Sequence, residues 1–266
     1  MKKNNKLFII IIVVFALVFL GACGYLVYKN FIIKSAEDAY NKLASSVVSQ
    51  ETTVSSLSFE NEDENKIDKE YLDNPVDFDT LIEDNEDIYS WIYVPDTNID
   101  YPVVQSHVDD NYYLDHDIYG NYSFPGAIYS QVCNSTDWND RVTVLYGHNM
   151  LNGSMFANLH YFEDRDYFDE NRHFYIFTPT RKLTYDIVAA FVYDDRHIMN
   201  SFDFKDDKVF KEFLDSVKNP RSIYSNVRDD IELNLNSKLV VLSTCVNYGE
   251  GRYLVIGVQA NDEPTE

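Results

Sequence analysis

Cys245, Arg252 and His148 are the residues whose types and placement suit acyl-transfer chemistry. The stretch VVLSTCVNYGEGRYLVIGV, residues 240–258, sets two apolar runs around a polar loop. The first run ends on Cys245 and the second opens on Arg252, seven positions later. His148 closes a third apolar run, RVTVLYGH, between Gly147 and Asn149. A cysteine thiolate attacks a carbonyl carbon well when a base or cation stands beside it. The attack builds an oxyanion, and a fixed guanidinium lowers the energy of that charge. If the runs around VNYGEG are adjacent antiparallel strands, the loop returns Arg252 to the edge where Cys245 sits. His148 is then the expected general acid and base.

Taken singly, each residue has a plainer explanation. A cysteine ending an apolar run is usually a small buried hydrophobe. A histidine at a strand exit is usually structural, and an arginine opening a strand usually reaches into solvent. His107, His116, His160, His173 and His197 sit in polar, acidic or loop surroundings with no partner evident from the sequence. No pair of histidines has metal-ligand spacing with further ligands, so no metal site and no cofactor are expected.

The elements that must position these residues are mostly short strands. IDYPVVQ, GAIYSQ, RVTVLYGH, HFYIFTP, KLTYDIVAAFVYD, KLVVLSTC and RYLVIGVQ are rich in Val, Ile, Tyr and Phe, with turn residues between them. FDTLIEDNEDIYSWIYVP places Phe78, Leu81, Ile82, Ile88 and Trp91 near helical spacing, with Asp77 or Asp79 as its cap. A second helical patch lies near SMFANLHYF. A third, VFKEFLDSVKN over residues 209–219, puts Val209, Phe210, Phe213, Leu214 and Val217 on one face. The pattern predicts a mainly β fold: a closed or nearly closed barrel of about eight strands, with a helix before it and another before the cysteine strand.

LFIIIIVVFALVFLGACGYLVY, residues 7–28, runs for 22 residues without a charge, enough to cross a bilayer core of about 30 Å. A cleaved leader has a shorter apolar region, so an uncleaved anchor is expected. Residues 1–6 are then a cytoplasmic tail, 29–75 a polar stalk and 76–266 the catalytic domain. Lys2, Lys3 and Lys6 bias the N-terminus inward, which places the domain outside the cell. Beyond residue 34 the chain carries 17 basic and 44 acidic residues. Nucleic acid is a poor partner for that surface. LGAC at Cys23 has the look of a lipidation site, yet apolar sequence continues past it, so Cys23 is read as a small residue in the membrane helix. Three cysteines make no disulfide framework, and nothing in the sequence specifies a Cys133–Cys245 bridge.

Leu242-Ser243-Thr244-Cys245, the YGHN of residues 146–149 and Arg252 together resemble the sortases, class B among them. Val241 stands where the family usually has Thr. DIYSWIYVPDTNIDYPVVQ through DNYYLDHDIYGNYSFPGAIY is similar to the class B N-terminal helix and first strands. The helix at 209–219 matches the one that class B adds to the barrel. The likeness runs in order from about Val76 to Ala260. It implies a membrane-anchored cysteine transpeptidase that cleaves C-terminal sorting signals of secreted proteins after Thr. Cys245 would carry the thioester, His148 the proton, and Arg252 the oxyanion or substrate backbone. The acceptor would be a peptidoglycan amine. Tyr146, Ser243 and Leu114 would line the substrate pocket.

Three other readings differ at the site. A pilin-polymerising sortase would use a lysine side chain as acceptor. An inactive barrel serving as a tethered scaffold would not need all three residues that are present here. A peptidoglycan transpeptidase of another fold would carry SHGC with Arg close behind, where this chain has STC and Arg seven residues on.

Overall fold

A computed structural model describes residues 3–49, 72–247 and 249–266. The chain divides into two units, Met1–Asn41 and Lys42–Glu266. The first consists of most of helix α1, Lys3–Val47. This helix is long and apolar enough to cross a membrane. The expected span at 7–28 lies inside it. Of the expected stalk at 29–75, residues 50–71 lie outside the described residues, and the last turns of α1 belong to the second unit. Leu43 and Val47 are buried there, and the Val47 carbonyl accepts from Asp77 N–H at 2.8 Å.

The second unit is a barrel of mixed strands. In chain order they are β1 (Ile88–Tyr93), β2 (Asp100–Val104), β3 (Ile128–Tyr129), β4 (Val142–Tyr146), β5 (His173–Thr178), β6 (Arg181–Tyr193), β7 (Ser225–Val227), β8 (Leu239–Cys245) and β9 (Arg252–Pro264). Neighbours run β5-β1-β2-β3-β4-β8-β9-β6, and β5 pairs back onto β6, closing eight strands. β7 extends the edge of β6 beyond β5. The pairs β2–β3 and β4–β8 are parallel and the other pairings antiparallel. Closure leaves no open edge in the ring to template aggregation.

One expectation needs correction. Helix α2 covers only Phe78–Asp84, capped by Asp77, whose carboxylate accepts from Thr80 N–H. The predicted continuation through Ile88 and Trp91 is instead strand β1. Asn85 ends the helix, and its side chain donates to the Ile118 carbonyl and to the Tyr113 hydroxyl. The run after it, IYSWIY, is β-branched and aromatic, and pairing with β2 and β5 decides its state. The patch near SMFANLHYF forms a 3-10 helix, Ala157–Glu163, followed by the short α3, Arg165–Glu170. The tetrapeptide helix α4, Ile198–Ser201, was not expected.

Helix α5, Asp207–Lys218, forms where predicted. Asp206 caps it, accepting from Lys208 and Val209 N–H. Its buried face, Phe210, Phe213, Leu214 and Val217, packs with Val142, Val144, Ala189, Phe191, Leu239, Val241, Leu254 and Ile256 of β4, β6, β8 and β9. Side chains alternate along a strand, so Val240, Leu242 and Thr244 turn the other way, into the barrel, where they are fully buried. The α5-covered face matters because Cys245 lies on it, two and four residues beyond Ser243 and Val241.

Candidate active site

Two cross-strand rows end the α5-covered face. Tyr146, Ser243, Leu254 and Phe191 pair in turn across β4, β8, β9 and β6. Cys245, Arg252 and Tyr193 form the next row. Gln259 N–H donates to the Lys238 carbonyl at 2.9 Å, which sets the alternation of the β8–β9 ladder. Counting from there, Cys245 and Arg252 face each other without exchanging backbone bonds. Such pairs bring their side chains closest. The guanidinium Nη1 accordingly donates to Cys245 Sγ at 3.0 Å. Cys245 is exposed and Arg252 half-exposed, so the pair is open to a substrate. The turn between them uses Gly249 and Gly251, both at positive φ, and Val246 N–H closes onto the Gly251 carbonyl.

β4 runs parallel to β8 with Tyr146 beside Ser243, and Gly147 N–H donates to the Ser243 carbonyl at 3.2 Å. His148 follows at once, so strand order delivers it to the same end of the sheet as Cys245. Gly147 is the residue that permits this exit. A Cβ there would sit 2.6 Å from Ile128 Cδ1 and 2.7 Å from the Phe156 ring. His148 Nε2 lies 2.8 Å from the Leu114 carbonyl oxygen. A carbonyl only accepts, so Nε2 carries the proton, and Nδ1 is the nitrogen left for proton traffic. The Phe124 ring stacks on the imidazole at 5.7 Å. The Leu114 carbonyl is itself held. Leu114 N–H closes a 3-10 turn, Tyr112–Leu114, on the Asn111 carbonyl at 3.0 Å, and the Leu114 carbonyl packs on Gly126, where a Cβ would fall 2.6 Å from that oxygen. Gly126 has φ of 60°, a backbone that other residues rarely adopt.

The six residues singled out in the sequence thus gather at one end of the barrel, on different terms. Leu114 meets the site through its backbone carbonyl. Ser243 is 3% exposed and lies between Tyr146 and Leu254 in the sheet. Tyr146 is half-buried, with its ring 5.4 Å from Tyr129 and 6.2 Å from His197. Burial pushes the Tyr129 phenol up to about 12, with Arg252 opposing, and pushes Tyr146 up as well. Both hydroxyls therefore stay protonated at neutral pH, as donors and not bases. The three cysteines are free, and Cys133 is exposed. Desolvation and then Asp110 push the Cys133 thiol up, which leaves it a poor nucleophile.

Sequence reasoning left five histidines without partners, and the structure supplies them. His116 pairs with Asp115 and His173 with Asp186, each at 2.7 Å. His107 lies 3.8 Å from Asp87, and His197 bonds Gln131 at 2.5 Å. His160 is the one at the site: its Nε2 is 2.9 Å from the Cys245 carbonyl and its Nδ1 2.5 Å from Glu163. The three-residue spacing of His160 and Glu163 in ANLHYFE was the available signal, legible only once that segment is known to coil.

Comparison with known proteins gives the family. The family model described as Sortase domain matches residues 92–260. Sortase B of Listeria monocytogenes is 30% identical over 176 residues, covering 65% of this chain and 70% of that protein. The solved structure of Clostridium perfringens sortase B is 29% identical with a TM-score of 0.63, over 70% of this chain and all of that one. A Streptococcus pyogenes class B sortase described as involved in pilus biogenesis is 31% identical with a TM-score of 0.60, covering 69% and 98% of the two chains.

Proposed function

The chain belongs to the sortase family, and on that premise we propose that it is a cell-wall sorting enzyme whose nucleophile is Cys245, with His148 and Arg252 as its partners. Its homologues of class B are cysteine transpeptidases. The observation that carries the assignment is the 3.0 Å contact from Arg252 Nη1 to Cys245 Sγ, with His148 two residues past the end of the adjoining strand β4.

The reaction balances in two steps. Cys245 Sγ attacks the carbonyl carbon of the Thr residue in a C-terminal sorting signal, and an S–C bond forms. Arg252 holds the oxyanion with its fork of donors. The C–N bond breaks, and the His148 imidazolium gives the leaving amine its proton. The signal's tail departs and a thioester remains. An amine of a peptidoglycan precursor then attacks the thioester, an N–C bond forms, and the S–C bond breaks. His148 takes the proton from the incoming amine. A second reading, in which the acceptor is a lysine of another secreted subunit, draws on the likeness to the pilus-biogenesis sortase.

Cleavage of a panel of fluorogenic sorting-signal peptides by the full chain in detergent tests the activity. At least one proline- and threonine-containing signal should be cut after Thr, and an acceptor amine should divert the product from acid to amide. No cleavage across the panel would count against the proposal. Peptidoglycan cross-bridge amines and lysine peptides, compared as acceptors, separate the two readings.

For location we propose residues 1–6 inside, 7–28 in the membrane, 29–75 as linker and 76–266 outside. The uncharged 22-residue run and the lysines ahead of it support this arrangement. Protease added to wall-stripped cells should remove the domain. Full protection of the domain would reverse the orientation.

A further inference from the structure

The carbonyl of Cys245 poses a problem that the strands do not solve. On the β4 side of β8, the Ser243 carbonyl accepts from Gly147 N–H. Two residues on, the Cys245 carbonyl points the same way, and a continuing parallel ladder would offer it Asn149 N–H. β4 has already turned off. Asn149 bridges to Met155, and Phe156 N–H bonds the His148 carbonyl. Side chains take the missing place. Asn149 Nδ2 donates to the Cys245 carbonyl at 3.1 Å, and His160 Nε2 meets it at 2.9 Å.

His160 is built in for this contact. Its side chain is 10% exposed, and the Tyr253 ring stacks on it at 4.8 Å. Its Nδ1 faces the Glu163 carboxylate. The ring spans the Cys245 carbonyl and the Glu163 carboxylate, one nitrogen facing each, and Asn149 Nδ2 lies 3.1 Å from the same Nε2. Glu163 therefore fixes the ring's orientation. Asn149 is also tied down, since the same Nδ2 donates to Asn247 Oδ1 at 2.9 Å.

We propose that His160, braced by Glu163, is a positioning residue for the nucleophile: with Asn149 it replaces the backbone donor that β4 withdraws, and so holds the end of β8 with Sγ against Arg252. The loop that follows Cys245 is exposed, and without this anchor the last residue of β8 would fray with it. His160 meets Cys245 at its carbonyl oxygen and acts through that backbone. The inference rests on Cys245 being the nucleophile.

The test uses the full chain in detergent with Cys133→Ala as background, and His160→Ala, His160→Gln and Glu163→Gln upon it. Two rates are measured per titrated Cys245 thiol: peptide turnover, and alkylation by a methanethiosulfonate. His160→Ala should lower both about tenfold or more, because small misplacements of reacting groups are costly. KM for the peptide should stay within about twofold of its starting value, since binding is not what the contact serves. His160→Gln should recover most of the loss, because its amide N–H occupies the place of Nε2. Glu163→Gln should fall between them. A structural role alone would lower the melting temperature and the number of titratable thiols but leave the rates per thiol intact. Unchanged rates per thiol in His160→Ala, or a glutamine variant no better than alanine, would overturn the proposal. If His160→Ala does not fold, the ranking of Glu163→Gln below the parent decides. If the parent alkylates but cleaves no peptide, the transpeptidase reading fails and the alkylation rates still judge this one.

Discussion

Cys245→Ala is expected to abolish cleavage of sorting-signal peptides while the protein stays folded. The thiol is the group that forms the bond to the substrate, and alanine offers no electron pair in its place. The fold should survive because Cys245 is exposed at a strand end, and surface changes of this kind usually fall within about 0.5 kcal/mol. Cys133→Ala is the matched control. Its thiol is pushed up by desolvation and by Asp110, and it takes no part in the row formed by Cys245 and Arg252. Activity should therefore persist in Cys133→Ala. Peptide cleavage and a thermal melt on both variants check the pair. Loss of activity in the Cys133 variant with retention in the Cys245 variant would reverse the assignment.

Arg252 carries the second large effect. Its guanidinium offers several donors in a rigid plane, and one already bonds Sγ. The oxyanion forms on the carbon that Sγ attacks, so the remaining donors lie close to the new charge. Lysine keeps the charge and loses the plane. Arg252→Ala should lower turnover by about 10²–10³, the range found on removing one oxyanion donor, and Arg252→Lys should lose much of the same rate. The melting temperature should barely move, because the side chain is half-exposed at the start of a strand. A structural arginine would give the opposite pattern: normal turnover per folded molecule with a lowered melt. Turnover and melting temperature measured on the same two variants separate the cases.

How much of this was legible in the sequence depends on the distance over which each feature is decided. The pairing of Cys245 with Arg252 was legible because a loop of six residues, 246–251, joins their two strands directly. Helix α5 was legible because its apolar face repeats at helical spacing within 12 residues. The barrel's closure followed from the number and composition of the strands. Strand β1 was misread because Phe78, Leu81, Ile88 and Trp91 keep helical spacing through Asn85, and only pairing with β2 and β5 overrides it. The environment of His148 was out of reach in a different way. Its partner is a main-chain carbonyl, that of Leu114, 34 residues earlier, and a carbonyl leaves no mark in a sequence. Ser243 entered as a pocket residue through the resemblance alone; it is buried in the row before Cys245, a burial that depends on strands far apart in the chain. His160 was passed over since its value depends on β4 leaving the ladder at Gly147.

Intact mass and peptide mapping of the enzyme, taken with a cleavable sorting-signal peptide and no acceptor amine, detect the acyl-enzyme itself. The mechanism requires a covalent adduct equal to the peptide's N-terminal fragment through Thr, less one water, on the segment holding Cys245. It should be discharged by hydroxylamine, as a thioester is, and by an acceptor amine. Cleavage of the peptide with no adduct on Cys245, or with the adduct on Cys133, would contradict it.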